Sequence, residues 1–489
     1  MPLTSDLARP RAGVPTERQR RWWILALVGL AQLMVMLDGT IVNIALPSAQ
    51  ADLHFGDGDR QWVITAYALA FGSLLLLGGR ISDMFGRRKV FLVGLIGFTA
   101  ASALGGTAHT FGLLIAARAL QGVFAALLAP SARSLLVTTF TDAGERAKAF
   151  GVFGGIAGAG GAIGLLLGGV LTQQFSWRWT LYVNVVLAVV ALGAALVLLP
   201  REGRDRTVRL DVPGVLLVST ALFGLVYGLS NANAHSWSAP LTWGSIAAGG
   251  LLLAVFTWWQ TRAEQPLLPL RILLDRSRAA SYLTVLVSGA GVFGVFLFVT
   301  YYLQDTLGYS PTRTGLAFLP MVAVTMVVSV VAAAALVPRV GPRPVVPLGL
   351  AVSAVAVAWM TELNVDTGYA AHILSPLLLA GLGMGLSTAP AIGLATYGVG
   401  ARDAGVSSAA VSTMQQIGGS VGTALFNTMA TTAATHYLTT HPARTPRTLE
   451  QAAVHGYSTA YWWAAGVFTL GAVVTLALYP GGARKEAES

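Results

Sequence analysis

Cysteine is absent from this chain of 489 residues, and charged residues make up only 11% of it. Without cysteine the protein has neither disulfides nor thiolate ligands and nucleophiles. The low charge, together with a hydrophobic fraction of 55% and 56 glycines, is unlike the composition of a soluble globular protein. The composition therefore indicates a membrane protein.

Motifs of several other functional classes are also missing. The chain has no G-x-x-x-x-G-K-[ST] loop for nucleotide phosphates and no H-E-x-x-H zinc motif. Its apolar runs carry no serine–histidine or paired-aspartate arrangement suited to a membrane enzyme. We therefore predict neither an ATP-driven pump in a single chain nor an enzyme, and we expect no cofactor. A channel or a sensor remains an alternative. Saturation of the transport rate and counterflow in vesicles would distinguish a carrier from either.

Fourteen apolar runs recur along the chain, from about 22–46 to about 458–479. Each is long enough to cross roughly 30 Å of hydrocarbon as a helix. We predict an all-α polytopic membrane protein with 14 transmembrane helices. Because this number is even, both termini lie on the same side of the membrane.

Arginine and lysine are unevenly divided between the two sides. If the termini are cytoplasmic, 25 of the 31 basic residues, Arg133 among them, fall in inner segments, and Arg118 lies inside a span. Short cytoplasmic loops retain positive charge. We therefore predict a multi-pass protein of the bacterial cell membrane with cytoplasmic N- and C-termini. The net charge of +10 reflects this bias, so we expect the basic loops to contact the lipid bilayer and not nucleic acid.

An internal repeat is detectable. GRISDMFGRRKVFLVG (79–94) aligns with AALVPRVGPRPVVPLG (334–349), matching Gly86 with Gly341 but Asp83 with Pro338. GGAIG (160–164) aligns with GGSVG (418–422) in the same order, as expected for a parallel duplication. We predict a cytoplasmic tail at 1–21, a six-helix bundle at 22–200, two inserted transmembrane helices at 213–261, a second six-helix bundle at 279–480 and a cytoplasmic tail at 481–489.

Several segments resemble one transporter family. GRISDMFGRRK matches the G-x-x-x-D-x-x-G-R-[RK] loop signature of the major facilitator superfamily, and LDGTIVNIALP with fourteen spans resembles its drug/proton antiporter branch. RALQG (118–122), SWRWTLYVN (176–184) and YYLQDTLGYSP (301–311) extend the likeness over nearly the whole chain. The resemblance implies a monomer that exports drugs, antibiotics or other amphipathic small molecules in exchange for protons, by alternating access. A proton-coupled importer of a small polar metabolite is the alternative.

The glycine-rich fifth helix departs from the family pattern. Its motif residues are Gly160, Gly164, Gly168 and Gly169, but Leu165 stands where G-P-x-x-G-G has proline. The family associates this motif with antiport. The resemblance therefore leaves open whether this helix bends and how tightly export is coupled to protons. The glycines still allow close helix packing.

Asp38 is the most informative residue of the first apolar run. A charged aspartate in the bilayer must be paired, protonated or in contact with water. Arg118 lies at a similar depth in the fourth run, and the resemblance implies that both helices line the central cavity. We predict that Asp38, Arg118 and Gln121 couple transport to protons. A static ion pair that only fixes helix packing is the alternative.

The loop between the second and third spans has a different predicted role. Asp83 suits the positive N-terminal end of a helix in the other bundle, which family analogy places near Ala404. A solvated loop that only sets topology would explain the arginines but not Asp83. The predicted cytoplasmic gating residues are Gly79, Arg80, Asp83, Gly86, Arg87 and Arg88.

Other polar residues within the spans are weaker candidates for a substrate cavity, because each can equally hydrogen-bond a neighbouring helix. The seven histidines lie in or beside outer connections, and we predict no metal site. The candidate cavity residues are Gln32, Asn43, Tyr301, Tyr302, Gln415 and Gln416.

Overall fold

The computed structural model describes residues 17–55, 60–200, 210–234, 238–400, 403–441 and 445–480. Most of the predicted N-terminal tail and all of the C-terminal tail at 481–489 lie outside these ranges. Fourteen long helices cover most of the described chain: α1 Glu17–Leu53, α2 Arg60–Phe85, α3 Arg87–Gly106, α4 Phe111–Thr139, α5 Ala143–Gln174, α6 Trp179–Leu198, α7 Val212–Ala234, α8 Pro240–Gln260, α9 Arg276–Tyr301, α10 Pro311–Val331, α11 Pro342–Trp359, α12 Leu374–Thr396, α13 Ala404–Thr440 and α14 Pro446–Leu478.

This architecture confirms the predicted polytopic helical fold. Thirteen of the helices are apolar and long enough to cross a bilayer. The exception, α13, has enough length but is interrupted by serine, threonine, glutamine and glycine along SSAAVSTMQQIGGS (407–420). Because α13 packs against α2, α4, α7, α9 and α14, its inner hydroxyl groups are shielded from lipid.

The helices pack in two groups joined by an inserted pair. Helices α1–α6 contact one another, as do α9–α14, while α7 packs on α2 and α13 and α8 packs on α7. Contacts between the two groups run through α5 with α10 and α12, and through α2 and α4 with α13. The candidate residues therefore lie either inside the first group or along these two seams.

The α2–α3 and α10–α11 connections share one backbone geometry. Gly86 has φ 91° before α3, and Gly341 has φ 83° before α11. This left-handed region strains residues with a Cβ atom, which explains a glycine at both aligned positions. We call the side of the molecule that carries these two connections the arginine-rich face.

Helix α5 packs closely on α1 of its own group and on α10 of the second group. Gly160, Gly164 and Gly168 face Met36, Thr40 and Ile41 of α1. A Cβ atom on Gly164 would lie only 1.9 Å from Thr40 Oγ1, so the close approach of α1 requires glycine. On another face, Gly151 and Gly155 contact Val330 and Met326 of α10. Gly169 is buried in the same helix, and α5 continues without a break through Leu165.

Asp211 connects the inserted pair to the chain that follows it. Its carboxylate accepts hydrogen bonds from the Gly214 backbone N–H at 2.9 Å, from Trp259 Nε1 at 2.9 Å, from Gln260 Nε2 at 2.9 Å and from the Leu267 N–H at 3.3 Å. Burial raises the pKa of Asp211, but these hydrogen bonds more than offset it, and the pKa lies below its ordinary value. The charged carboxylate thus fixes both the start of α7 and the end of α8.

Replacing Asp211 with asparagine is expected to lower the thermal unfolding midpoint of the purified protein. Asparagine leaves buried donors without an acceptor, at a cost of about 1–3 kcal/mol. A carboxyl group with a lowered folded-state pKa contributes stability above its unfolded pKa and loses it as the pH falls through the folded value. The difference between wild type and Asp211→Asn should therefore shrink below about pH 4.

Asp275→Asn is the matched control, because Asp275 is an exposed helix cap with one hydrogen bond, to the Arg278 N–H. Asparagine caps helices about as well as aspartate, so little change is expected. Equal unfolding midpoints for wild type and Asp211→Asn at neutral pH would contradict this role for Asp211.

Candidate functional site

The Asp38 carboxylate is enclosed by a polar network within the first group of helices. Its Oδ2 accepts a hydrogen bond from Arg118 Nη1 at 2.6 Å, which is also an ion pair. Its Oδ1 accepts from Gln121 Nε2 at 3.0 Å and from Asn184 Nδ2 at 2.9 Å. Helices α1, α4 and α6 thus converge on one carboxylate, and the structure brings the three predicted coupling residues into direct contact.

Arg118 has further partners that fix its orientation. Its Nε donates to the Val63 carbonyl at 3.1 Å, and its Nη1 also donates to Gln121 Oε1 at 2.9 Å. The guanidinium lies 4.6 Å from the centre of the Tyr67 ring, so α2 contributes a cation–π contact as well as an acceptor. Helix α2 therefore helps to hold this arginine beside its carboxylate partner.

The network is sealed from water. Asp38 is 0% exposed and Arg118 is 1% exposed, so neither side chain faces an open cavity in this conformation. The reason is that α2 and α6 close over the pair from both sides. A cavity of about 10 Å³ lies one helical turn from the pair, on the side away from the arginine-rich face. It is lined by Val42, Val63 and Leu114 and has room for about one water molecule.

Asn184 and Ser102 belong to this network although the sequence analysis gave them no role. Ser102 Oγ of α3 accepts a hydrogen bond from Gln121 Nε2 at 2.7 Å, and both residues are fully buried. Asn184 ends the motif SWRWTLYVN and stands in an otherwise apolar helix, a signal similar to that of Asp38. Ser102 carried no such signal, because serine is common in helices that pack closely.

A second set of contacts closes the arginine-rich face. Asp83 Oδ1 accepts from the Gly405 N–H at 2.8 Å and Oδ2 from the Val406 N–H at 3.1 Å, at the start of α13. We call these two hydrogen bonds the latch. A carboxylate at a helix N-terminus is favoured by the helix dipole. Beside the latch, a Cβ atom on Gly79 would lie 2.6 Å from the Gly405 carbonyl, so α2 and α13 meet almost backbone to backbone.

The arginines around the latch divide their contacts. Arg80 Nη1 lies 4.0 Å from Asp403, just before α13, and so reaches the second group. Arg87 Nε instead donates to Ser134 Oγ of α4 at 2.8 Å, and Arg88 Nη2 donates to the Leu196 carbonyl of α6 at 3.0 Å. The hydrogen bonds of Arg87 to α4 and of Arg88 to α6 therefore lie within the first group, while the ion pair of Arg80 reaches the second.

The six candidate cavity residues do not form one site. Tyr302 is buried, and its hydroxyl bonds the Asn364 and Thr367 carbonyls at 2.7 and 2.9 Å, which is a structural role. Tyr301 is exposed beside the Tyr457 ring. Tyr301 is the last residue of α9, and Tyr302 begins the π-helical turn Tyr302–Thr306 that follows it.

The other four candidates lie on α1 and α13. Asn43 is exposed, and its Nδ2 donates to the Gly39 carbonyl of its own helix at 3.3 Å. Gln32 is 1% exposed, and neither of its amide atoms has a hydrogen-bond partner among the described residues. Gln416 packs on Gly72 of α2, and Gln415 Oε1 accepts from Arg133 Nη2 at 3.1 Å.

Arg133 is misplaced by the sequence analysis, which assigned it to an inner loop. Helix α4 continues to Thr139, and Arg133 is only 2% exposed inside it. The apolar pattern of the fourth run ends at Arg133, and a charge normally marks the end of a span, so the pattern alone places this arginine outside the helix.

Comparison with known proteins gives consistent matches. A sequence profile of the Major Facilitator Superfamily matches residues 28–423. The chain is 48% identical to the puromycin resistance protein pur8 of Streptomyces alboniger, over 94% of this chain and 91% of that protein. It is 37% identical to the cephamycin export protein CmcT of Amycolatopsis lactamdurans, over 87% and 88% of the two chains. The proton:xylose symporter XylE shares the fold, with a TM-score of 0.65 at 13% identity over 95% and 97% of the two chains.

Asp83→Ala is expected to open the arginine-rich face. The substitution leaves the buried Gly405 and Val406 N–H groups without their acceptor, which costs about 1–3 kcal/mol. Since the chain has no cysteine, Ser408→Cys provides a unique thiol at a buried position of α13, and it is a near-isosteric change of a hydroxyl that has no partner among the described residues. We expect N-ethylmaleimide to label this thiol at least about fivefold faster in the Asp83→Ala background.

Asp142→Ala is the matched control, since Asp142 caps α5 through the Glu145 N–H and makes no contact of this kind between the groups. It should leave the labelling rate unchanged. Identical rates with and without Asp83 would show that the latch does not hold this face closed.

Proposed function

Because the chain belongs to the major facilitator superfamily, we propose that it is a proton-coupled exporter of antibiotics or similar amphipathic small molecules. The relatives support the substrate class: one is named for puromycin resistance and another for cephamycin export. Both cover most of the chain, so the likeness includes both helix groups and the inserted pair. The importer alternative gains no support from these relatives.

The observation that carries the coupling proposal is the buried Asp38 carboxylate with three neighbouring donors. As an anion it is matched to Arg118 Nη1, Gln121 Nε2 and Asn184 Nδ2. Protonation removes its charge and one acceptor position, and it leaves the Arg118 cation in a membrane interior without its counter-ion. The two protonation states therefore favour different arrangements of α1, α4 and α6, which is what coupling requires.

The available driving force is sufficient. A membrane potential of 100 mV supplies about 2.3 kcal/mol per proton. At about 1.4 kcal/mol for each factor of ten, one proton supports a concentration ratio of roughly fiftyfold. One carboxylate is thus enough to drive a useful export gradient.

Alternating access follows from combining the network with the latch. The described conformation has the latch closed, and the proposed orientation places the arginine-rich face in the cytoplasm. Opening the latch exposes a route from the cytoplasm between α2 and α13, while the proton enters from the opposite side, where the small cavity beyond Asp38 lies. We propose a monomeric cycle, because each chain contains both helix groups.

Asp38→Asn is expected to abolish pH-gradient-driven accumulation of puromycin in inside-out membrane vesicles. The amide approximates the protonated carboxyl group in size and cannot release a proton. We expect a loss of at least about tenfold, to the level of vesicles without the protein, at equal amounts of inserted protein.

Asp52→Asn is the matched control, because Asp52 lies in the same helix but is exposed and pairs with Arg178 at 2.6 Å. Wild-type accumulation by Asp38→Asn, or equal losses in both variants, would contradict proton coupling at Asp38. Gradient-driven flux in the opposite direction would favour the importer.

A further inference from the structure

Helix α4 contains two buried arginines with contrasting surroundings. They are fifteen residues apart, or about 22 Å along the helix. Arg118 has the Asp38 carboxylate at 2.6 Å, whereas Arg133, 2% exposed, has no carboxylate within 4.0 Å among the described residues. A buried cation without a counter-ion is costly in a membrane interior. Arg133 therefore requires an explanation that Arg118 does not.

The partners of Arg133 are neutral and belong to the other helix group. Nη1 donates to Ser412 Oγ and Nη2 to Gln415 Oε1, both on α13, while Nε has no partner among the described residues. The Phe153 ring centre is 5.9 Å from the guanidinium. The Ser408 hydroxyl, one turn before Ser412, is also buried and without a partner. The seam between α4 and α13 is thus a polar strip with unused hydrogen-bonding groups.

The same helix start that forms the latch leads into this strip. Ser412 lies two turns beyond Gly405 in α13. Any opening of the latch that carries this part of α13 away from α2 and α4 would also separate Ser412 and Gln415 from Arg133. The guanidinium would then lose the two hydrogen-bond acceptors that it has in the closed arrangement and would have no carboxylate to replace them.

We propose that Arg133 binds an anionic group, a carboxylate, sulfonate or phosphate, of the molecule being exported while the arginine-rich face is open. This rests on the proposed export function. A guanidinium offers several donors in a fork that matches such oxyanions. When the face closes, Ser412 and Gln415 return to the guanidinium and compete with the bound group. Arg133 would therefore both admit anionic molecules and release them.

The test compares two dyes with a shared xanthene core, anionic 5-carboxyfluorescein and cationic rhodamine 123. Their dissociation constants are measured by fluorescence anisotropy with protein in phosphatidylcholine nanodiscs. We expect Arg133→Gln to weaken carboxyfluorescein binding about tenfold to a hundredfold, the range for a charged hydrogen bond. Arg133→Lys keeps the charge but not the fork and should lose less. The ratio of the two affinities should shift towards rhodamine 123.

Arg339→Gln is the charge-matched control, because Arg339 is exposed near the α10–α11 connection, and it should leave this ratio unchanged. Equal weakening of both dyes by Arg133→Gln would assign the arginine a structural role. Absence of saturable carboxyfluorescein binding to wild type would also overturn the proposal. So would loss of that binding on adding phosphatidylglycerol, since a lipid headgroup would then be the ligand.

A second readout does not depend on dye affinity. Ser408→Cys places the only thiol of the chain beside the strip without removing a contact of Arg133. The ratio of its reaction rates with 2-sulfonatoethyl and 2-(trimethylammonium)ethyl methanethiosulfonate should fall at least about fivefold in the Arg133→Gln background. An unchanged ratio would contradict an anion-attracting site. Neither readout uses a pH gradient. The anion-binding proposal can therefore be contradicted while the proposal of proton-driven export holds, and the export proposal can be contradicted while anion binding holds.

Discussion

The structure depends on one ion pair that the membrane makes obligatory. Asp38 and Arg118 are both removed from water, so each is tolerable only while the other is within reach. Gln121, Asn184 and Ser102 complete the hydrogen bonding, so five helices of the first group, counting α2 through Val63, are organised around a single carboxylate. Under the proposed coupling, protonation of that carboxylate would change how these helices pack.

The glycines determine how such a change reaches the rest of the molecule. Helix α1 carries Asp38 and lies against the Gly160, Gly164 and Gly168 face of α5, whose other glycines contact α10. Gly79 likewise allows α2 to meet α13 at the latch. Because these contacts leave no room for a Cβ atom, movement of α1 or α2 cannot be absorbed locally by side chains. Asp38 and the latch are connected through closely packed helices of the first group.

The apolar runs were sufficient to predict the fold, and the motifs were sufficient to predict the family. The pairing of Asp38 with Arg118 could also be predicted, because a charge inside an apolar run is a strong signal. The sequence was sufficient for Asp83 as well, since Asp83 is the one acid of a basic loop, and it contacts the helix that begins at Ala404. It was not sufficient where a contact depends on helix orientation. Arg88 donates to the Leu196 carbonyl of α6, and the Tyr302 hydroxyl donates to a loop carbonyl, and neither partner is visible in the pattern of one helix.

Arg133 shows a second limit. A charge near the end of an apolar run is read as the end of the span, yet α4 extends beyond it and α13 covers it. Whether such a residue is exposed depends on contacts between segments about 280 positions apart, and one helix pattern carries no information about them.

The most direct test of the account is a double-mutant cycle of Asp38→Asn and Arg118→Ala. Export driven by a pH gradient is measured for wild type, the two single variants and the double variant at equal surface expression. If the pair acts as one element, Arg118→Ala leaves the carboxyl group protonated throughout the cycle, and the double variant is scarcely worse than either single variant. Defects that multiply, each substitution having its full effect in the other's background, would show that Asp38 and Arg118 act independently.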